Sequence, residues 1–178
     1  RGLAAVIEQR RRQGARTLNL LGGEPAVSVH GIVELLARVD VRTTVVWNSN
    51  MYYGDHVARA LDGLVDIYLA DLKCGNATCA ERLLGAGDYL DVVRANILGA
   101  RAVGDVIVRH LILPGHLDCC LGPTLEWIAQ HAPDLKVSLR GDYAPPAHDS
   151  AAPPTYLCPG DRDRALRMAG GLGLHVIE

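Results

Sequence analysis

The chain has 178 residues, 49% hydrophobic and 21% charged, with eighteen basic against twenty acidic residues and a formal net charge of −2. This balance excludes disorder over most of the length and a surface built to neutralise nucleic-acid phosphates; without a run of about 18 uncharged apolar residues, it also excludes a bilayer-spanning helix. No basic segment leads into an apolar one, so no signal peptide is visible, and the five scattered cysteines (Cys74, Cys79, Cys119, Cys120, Cys158) read as reduced thiols of a cytoplasmic protein.

The first element is an amphipathic helix over Leu3–Gln13. Leu3, Ala4, Val6 and Ile7 supply its apolar side, and Arg10, Arg11 and Arg12 suit the negative end of the helix dipole. A short strand follows at Arg16–Leu21 and closes in Gly22-Gly23. The alternation then repeats. Helices are predicted at 27–39, 53–61, 79–100 (one or two), 124–131 and 161–169. Strands are predicted at 43–47, 65–70, 105–113, 135–139 and 174–177. The strands are apolar throughout, as in a parallel sheet covered by helices.

Successive strands begin roughly 30 residues apart, the length of one βαβ unit. The pattern predicts a single α/β domain over 1–178, either a barrel or a doubly wound sheet. A full eight-unit barrel needs about 250 residues, so only a partial barrel fits. The chain opens on a helix, in the middle of a repeat, and the arithmetic predicts a preceding strand that is missing here. Within the domain, 141–160 carries five prolines and no apolar period, and reads as a long loop.

Chemistry in such folds gathers at the carboxyl ends of strands. The first end is Gly22-Gly23-Glu24, either bare backbone plus a carboxylate for a ligand or a tight turn. The second is Asn48-Ser49-Asn50, which can grip hydroxyls; one of the three is explained as a helix cap. The third is Asp71-Leu72-Lys73. Its acid and lysine share a face if the strand continues, as a rim pair or a plain surface ion pair. At the fourth, Arg109 and His110 need partners in an apolar strand. Beyond them, His116, Asp118, Cys119 and Cys120 are close enough in sequence for a metal, although adjacent cysteines point apart and no zinc spacing is present. The fifth is Arg140-Gly141-Asp142-Tyr143. His30 reads as structural or solvated.

Together, "NLLGGEP", "VVWNSNMY", "VDIYLADLKCGN" and "VRHLILPGH" resemble the radical S-adenosylmethionine family, in particular members like the pyruvate formate-lyase activating enzymes. The resemblance runs from Leu18 to about Pro146. It implies a partial (β/α)6 TIM-like barrel with parallel strands, the first unit's strand lacking from this chain. It implies S-adenosylmethionine and a [4Fe–4S] cluster as cofactors. The cluster would cleave the sulfonium reductively to a 5′-deoxyadenosyl radical that abstracts hydrogen, in activating enzymes from a glycine of a partner protein. An electron donor such as flavodoxin or ferredoxin is implied as a second partner, with no nucleic acid and no membrane. By position, Gly22, Gly23 and Glu24 match the motif that receives the methionine amino group. Asn48, Ser49 and Asn50 lie where the family has polar groups near the ribose. Asp71 and Lys73 match a D-x-K motif whose lysine meets the methionine carboxylate, and they stand as the catalytic candidates. Tyr143 lies near a family histidine that approaches the same ligand.

The sequence departs from the family at one point: no C-x3-C-x2-C occurs in it. No metal ligand is therefore assigned in this chain, and the cluster cysteines are expected upstream of Arg1. Two alternatives remain open. One is a cluster-less, non-catalytic homologue that binds a nucleoside or a protein partner. The other is an unrelated metal-dependent barrel enzyme using His110, His116, Asp118 and a cysteine.

Overall fold

The structure is a computed structural model that describes residues 2–148 and 151–177; Arg1 and Glu178, at the ends of the expected domain, and Asp149 and Ser150, inside the proline-rich segment, lie outside the described residues. Helix α1 (Gly2–Arg12) leads into β1 (Thr17–Leu20), a 3₁₀ turn (Pro25–Ser28) and α2 (Val29–Leu36). Then come β2 (Thr44–Ser49), α3 (Asp55–Leu61), β3 (Ile67–Asp71), α4 (Ala77–Leu84) and α5 (Tyr89–Arg101). The last third holds β4 (Asp105–Leu111), a π-helical turn (Leu117–Leu121), α6 (Gly122–His131), β5 (Lys136–Arg140), α7 (Asp161–Gly171) and β6 (His175–Ile177).

The six strands form one sheet in the order β1-β2-β3-β4-β5-β6, and every neighbouring pair is parallel. A doubly wound sheet reverses its strand order at a switch point. This one never reverses, so the fold is a partial TIM-like barrel. No helix among the described residues is long and apolar enough to cross a membrane.

Strand side chains alternate between faces, and here the two faces differ sharply. One carries Leu20, Val45, Trp47, Tyr68, Ala70, Leu72, Val106, Val108, Ile112, Val137 and Leu139, all buried. They pack with Val57, Leu61, Val93, Ile97, Leu125 and Ile128 from the helices. Burying each large apolar side chain contributes about 1.5–3 kcal/mol. The opposite face holds Asn19, Asn48, Leu69, Asp71, Ile107, Arg109 and Arg140, half-buried or exposed. The helices therefore cover one side of the sheet and leave the other open, and that open face carries the polar strand ends.

Several boundaries differ from the sequence expectation by a few residues, and two of them bear on the site. Strand β2 runs through Asn48 and Ser49, which are ladder residues and not helix caps. Strand β4 stops at Leu111, because the proline at 114 cannot extend a ladder. The 25–28 turn begins at Pro25, and the Glu24 carboxylate caps it by accepting from the Ala26 N–H.

His110 sits on the covered face, 1% exposed, with Nδ1 2.6 Å from the Leu72 carbonyl. Burial pushes its pKa from 6.5 down to about 4, opposed by that hydrogen bond and assisted by the Lys73 charge. The unfolded chain then binds the extra proton between those two values, so stability is full above pH 6.5 and falls as the solution is acidified. Between pH 7 and 5 this one group removes about 2 kcal/mol. Urea denaturation at the two pH values is expected to show His110→Gln losing that much less than the wild type; equal losses would remove His110 as the cause.

Candidate functional site

The parallel register decides which strand ends meet. Asp71 pairs with Arg109 across β3 and β4, and Asn48 on β2 shares their face. Arg109 donates from Nε to Asp71 Oδ1 at 2.7 Å and from a terminal nitrogen to Asn48 Oδ1 at 2.5 Å. Lys73 Nζ reaches the other Asp71 oxygen at 3.1 Å. One carboxylate thus holds a cation on each oxygen. Lys73 lies beyond the end of β3, and a buried phenol fixes its backbone. The Tyr89 hydroxyl accepts from the Lys73 N–H at 2.8 Å and donates to the Asp71 carbonyl at 3.1 Å. Burial raises the Tyr89 phenol well above its ordinary value, so it stays protonated.

Asp71, Lys73, Arg109, Leu111, Arg140 and Asp142 line a cleft of ≈ 400 Å³. Arg140 and Asp142 form a further exposed ion pair at 2.9 Å. With three cations against two acids, the cleft carries one excess positive charge. The Lys73 side chain is 43% exposed, so its ammonium is reachable. A cleft of this size with convergent polar groups suits a small anionic or zwitterionic ligand.

The β1 end is arranged differently from the expectation. Gly22 and Gly23 have φ of +110° and +57°, which favour glycine, and they stand in open space. Glu24, expected to receive a ligand amino group, is largely committed inside the protein. Its Oε1 accepts from the Ser49 hydroxyl at 2.7 Å and the Ala26 N–H at 3.3 Å, and its Oε2 accepts from the Asn50 N–H at 2.8 Å. A carboxylate offers about four lone-pair positions, so about one remains. Ser49 is buried and accepts from the Met51 N–H, while the Asn50 side chain accepts from Tyr52 N–H. These two side chains fold the loop. Met51, fully buried, takes a left-handed φ of +58°; Asn96 holds it there by donating to the Met51 and Tyr53 carbonyls at 2.8 and 2.9 Å. The Tyr143 hydroxyl donates to the Pro153 carbonyl at 2.6 Å, within the proline-rich segment.

A second group lies behind this rim. Cys79 enters from the first turn of α4, where Asn76 caps the helix by accepting from the Cys79 N–H. His116, Cys119 and Cys120 come from the π-helical turn after β4. The ligand atoms of the four residues lie within 4.8 Å of one another, so the group could hold a metal. Cys79 is the member that spacing along the chain could not supply, since it meets His116 from 37 residues away. The other two proposed ligands are elsewhere: His110 is in the core, and the exposed Asp118 pairs with Arg164 at 2.6 Å. A [4Fe–4S] cube places its thiolates on different irons, whereas donors this close together surround a single ion; the cube does not fit here.

Two arginines have places that the sequence alone does not signal. Register sets Arg109 beside Asp71, and Arg82 lies on the solvent side of His116, its terminal nitrogen 3.1 Å from Nε2. Burial first, and then the Arg82 charge, lower the His116 pKa.

No family model matches the chain. It is 36% identical over 141 residues to an uncharacterized protein of Methanocaldococcus jannaschii, covering 79% of this chain and 41% of that protein. The chain thus spans about two fifths of the length of this relative. Among solved structures it is similar to a domain of pyruvate-formate lyase-activating enzyme from Bacteroides vulgatus. The TM-score is 0.70 at 15% identity, over 92% of this chain and 98% of that one. At that identity the likeness bears on the fold.

Because Glu24 ties the β1 and β2 loops together, Glu24→Ala is expected to destabilise the chain by roughly 2–4 kcal/mol in urea denaturation. An unchanged midpoint would show that the carboxylate is not the staple and stands free.

Proposed function

We propose that the open face binds S-adenosylmethionine, and that the protein to which this chain belongs is a radical S-adenosylmethionine enzyme of the activating type. The observation that carries the reading is the excess positive charge at Asp71, Lys73 and Arg109, at the strand ends where the family resemblance expects the methionine moiety. In support, the fold is shared with an activating-enzyme domain.

In this reading Lys73 gives its ammonium to the ligand carboxylate. It is the more exposed cation, and Asp71 keeps Arg109 as partner when Lys73 turns away. Asp71 positions both cations. The Gly22-Gly23 backbone carbonyls, with the spare Glu24 lone pair, receive the amino group. Asn48 faces the same space from β2, and Asn50 and Ser49 shape the turn beside it. Tyr143 is kept as a ligand-side group, where the family resemblance has a histidine. A bound cluster would supply the reducing electron, and none of the residues named here would hold it. A partner protein bearing the glycine and a flavodoxin or ferredoxin as donor remain proposals for the whole protein.

Calorimetric titration of the purified chain tests the ligand half. S-adenosylmethionine is expected to bind more tightly than its decarboxylated analogue, and Lys73→Ala to weaken the former by about tenfold while leaving the latter unchanged. Equal binding of both ligands by the wild type, or no binding by the folded chain, would overturn the assignment. For the enzyme half, the whole protein reconstituted with iron and sulfide without oxygen is expected to yield 5′-deoxyadenosine on reduction. Binding without cleavage would favour the cluster-less, nucleoside-binding alternative.

A further inference from the structure

The group formed by Cys79, His116, Cys119 and Cys120 lies outside the proposed ligand cleft, and its distances are informative. His116 Nδ1 is 3.6 Å from Cys79 Sγ, 3.3 Å from Cys119 Sγ and 3.7 Å from Cys120 Sγ; Cys79 and Cys119 sulfurs are 3.9 Å apart. Cys120 also meets the Cys74 thiol and Cys79 the Asn76 amide, but one ring nitrogen cannot hydrogen-bond three thiols at once, so hydrogen bonding does not explain three sulfurs converging on it. A tetrahedral zinc ion does. Zinc–sulfur and zinc–nitrogen bonds of about 2.3 and 2.05 Å separate two thiolates by about 3.8 Å and a thiolate from an imidazole nitrogen by about 3.6 Å. The Cys79–His116, Cys120–His116 and Cys79–Cys119 spacings lie within about 0.1 Å of those edges, and Cys119–His116 is about 0.3 Å shorter.

Local structure brings the donors together. Adjacent cysteines normally diverge, but the Leu117–Leu121 turn is π-helical, and both the Cys120 and the Leu121 N–H reach the His116 carbonyl. The widened turn lets Cys119 and Cys120 approach one imidazole, and such turns recur at functional sites. Cys79 is held by the Asn76 cap. The Asn76 amide lies 3.2 Å from Cys79 Sγ and donates to the Cys119 carbonyl, an outer partner for a thiolate site. Cys79, His116 and Cys120 are buried while Cys119 is exposed, which leaves a route for an ion.

We infer that Cys79, His116, Cys119 and Cys120 bind a single zinc ion in a closed Cys₃His site. Four protein donors fill the tetrahedron, so the site is structural, with no open position for substrate. Binding releases the thiol protons and takes up no electrons. Nδ1 ligation leaves the ring proton on Nε2, where Arg82 now sits, so the guanidinium turns aside. Three thiolates around a divalent ion carry a net charge of −1, which keeps Arg82 close. The ion would tie the first turn of α4 to the turn after β4.

The test uses the purified, reduced chain. Elemental analysis after growth with zinc is expected to give one equivalent, and cobalt is expected to replace it with the intense visible bands of a tetrahedral thiolate complex. Outer-shell substitutions alone cost 10–100-fold in affinity. Cys119→Ser, which removes an exposed ligand and spares the core, is therefore expected to lose at least about tenfold against a competing indicator. Cys158→Ser, outside the group, is expected to bind as the wild type does. No bound zinc together with no cobalt–thiolate spectrum would overturn the site. So would unchanged affinity in Cys119→Ser, iron with acid-labile sulfide in place of zinc, or a Cys79–Cys119 disulfide that forms equally well with zinc present. S-adenosylmethionine binding is a separate readout, so either assignment can fail alone.

Discussion

The open face depends on a single carboxylate bridging two strands. Asp71 gives one oxygen to Arg109 and the other to Lys73, and Arg109 extends the chain of contacts to Asn48. Both cations are partly exposed, and pairs of that kind contribute at most about 1 kcal/mol to folding. Their weakness is useful to a binding site. A ligand carboxylate can draw Lys73 away at small cost, while the Arg109 contact keeps Asp71 in place. Folding strength comes from the other face, where Trp47, Leu72, Ile112 and Leu125 are shut from water.

The strict alternation of strand side chains separates these tasks. A residue at an even step from Asp71 on β3 faces the cleft, and one at an odd step faces the helices. His110 and Arg109 are neighbours in sequence with opposite fates. Arg109 meets a carboxylate on the open side, while His110 is driven neutral in the core against the Leu72 carbonyl. A one-residue slip in β4 would bury the guanidinium and expose the imidazole, so the register is specified by chemistry as well as by packing.

Much of this was legible in the sequence because it is local or periodic. The βα alternation and the polar strand ends at 22–24, 48–50 and 71–73 follow from runs of apolar residues and the groups that end them; those runs leave barrel and doubly wound sheet open, and the partial barrel comes from the family resemblance and from the unreversed strand order. Less legible were pairings across long stretches of chain. Glu24 reads as a free rim carboxylate until Ser49 and Asn50 arrive beside it from 25 and 26 residues away. Asp118 reads as a ligand beside His116, but Arg164 draws it outward. Cys119-Cys120 reads as divergent because an α-helical or extended turn would point the two side chains apart. A π-helical turn changes the direction of both, and no local signal in Leu117–Leu121 announced it.

The two groups of side chains share one short segment. Lys73 ends the cleft side of the loop after β3, and Cys79 stands at its far end. Between them Gly75 lies against the π-helical turn so closely that a Cβ there would sit 2.0 Å from the Cys120 carbonyl oxygen. That contact, the Arg94 bond to the Gly75 carbonyl and the Tyr89 bond to the Lys73 N–H place the loop with protein atoms alone. An ion bound by Cys79, His116, Cys119 and Cys120 would therefore add order to a loop already in position. Its effect on the cleft should appear in how tightly Lys73 is held, and less in where it lies.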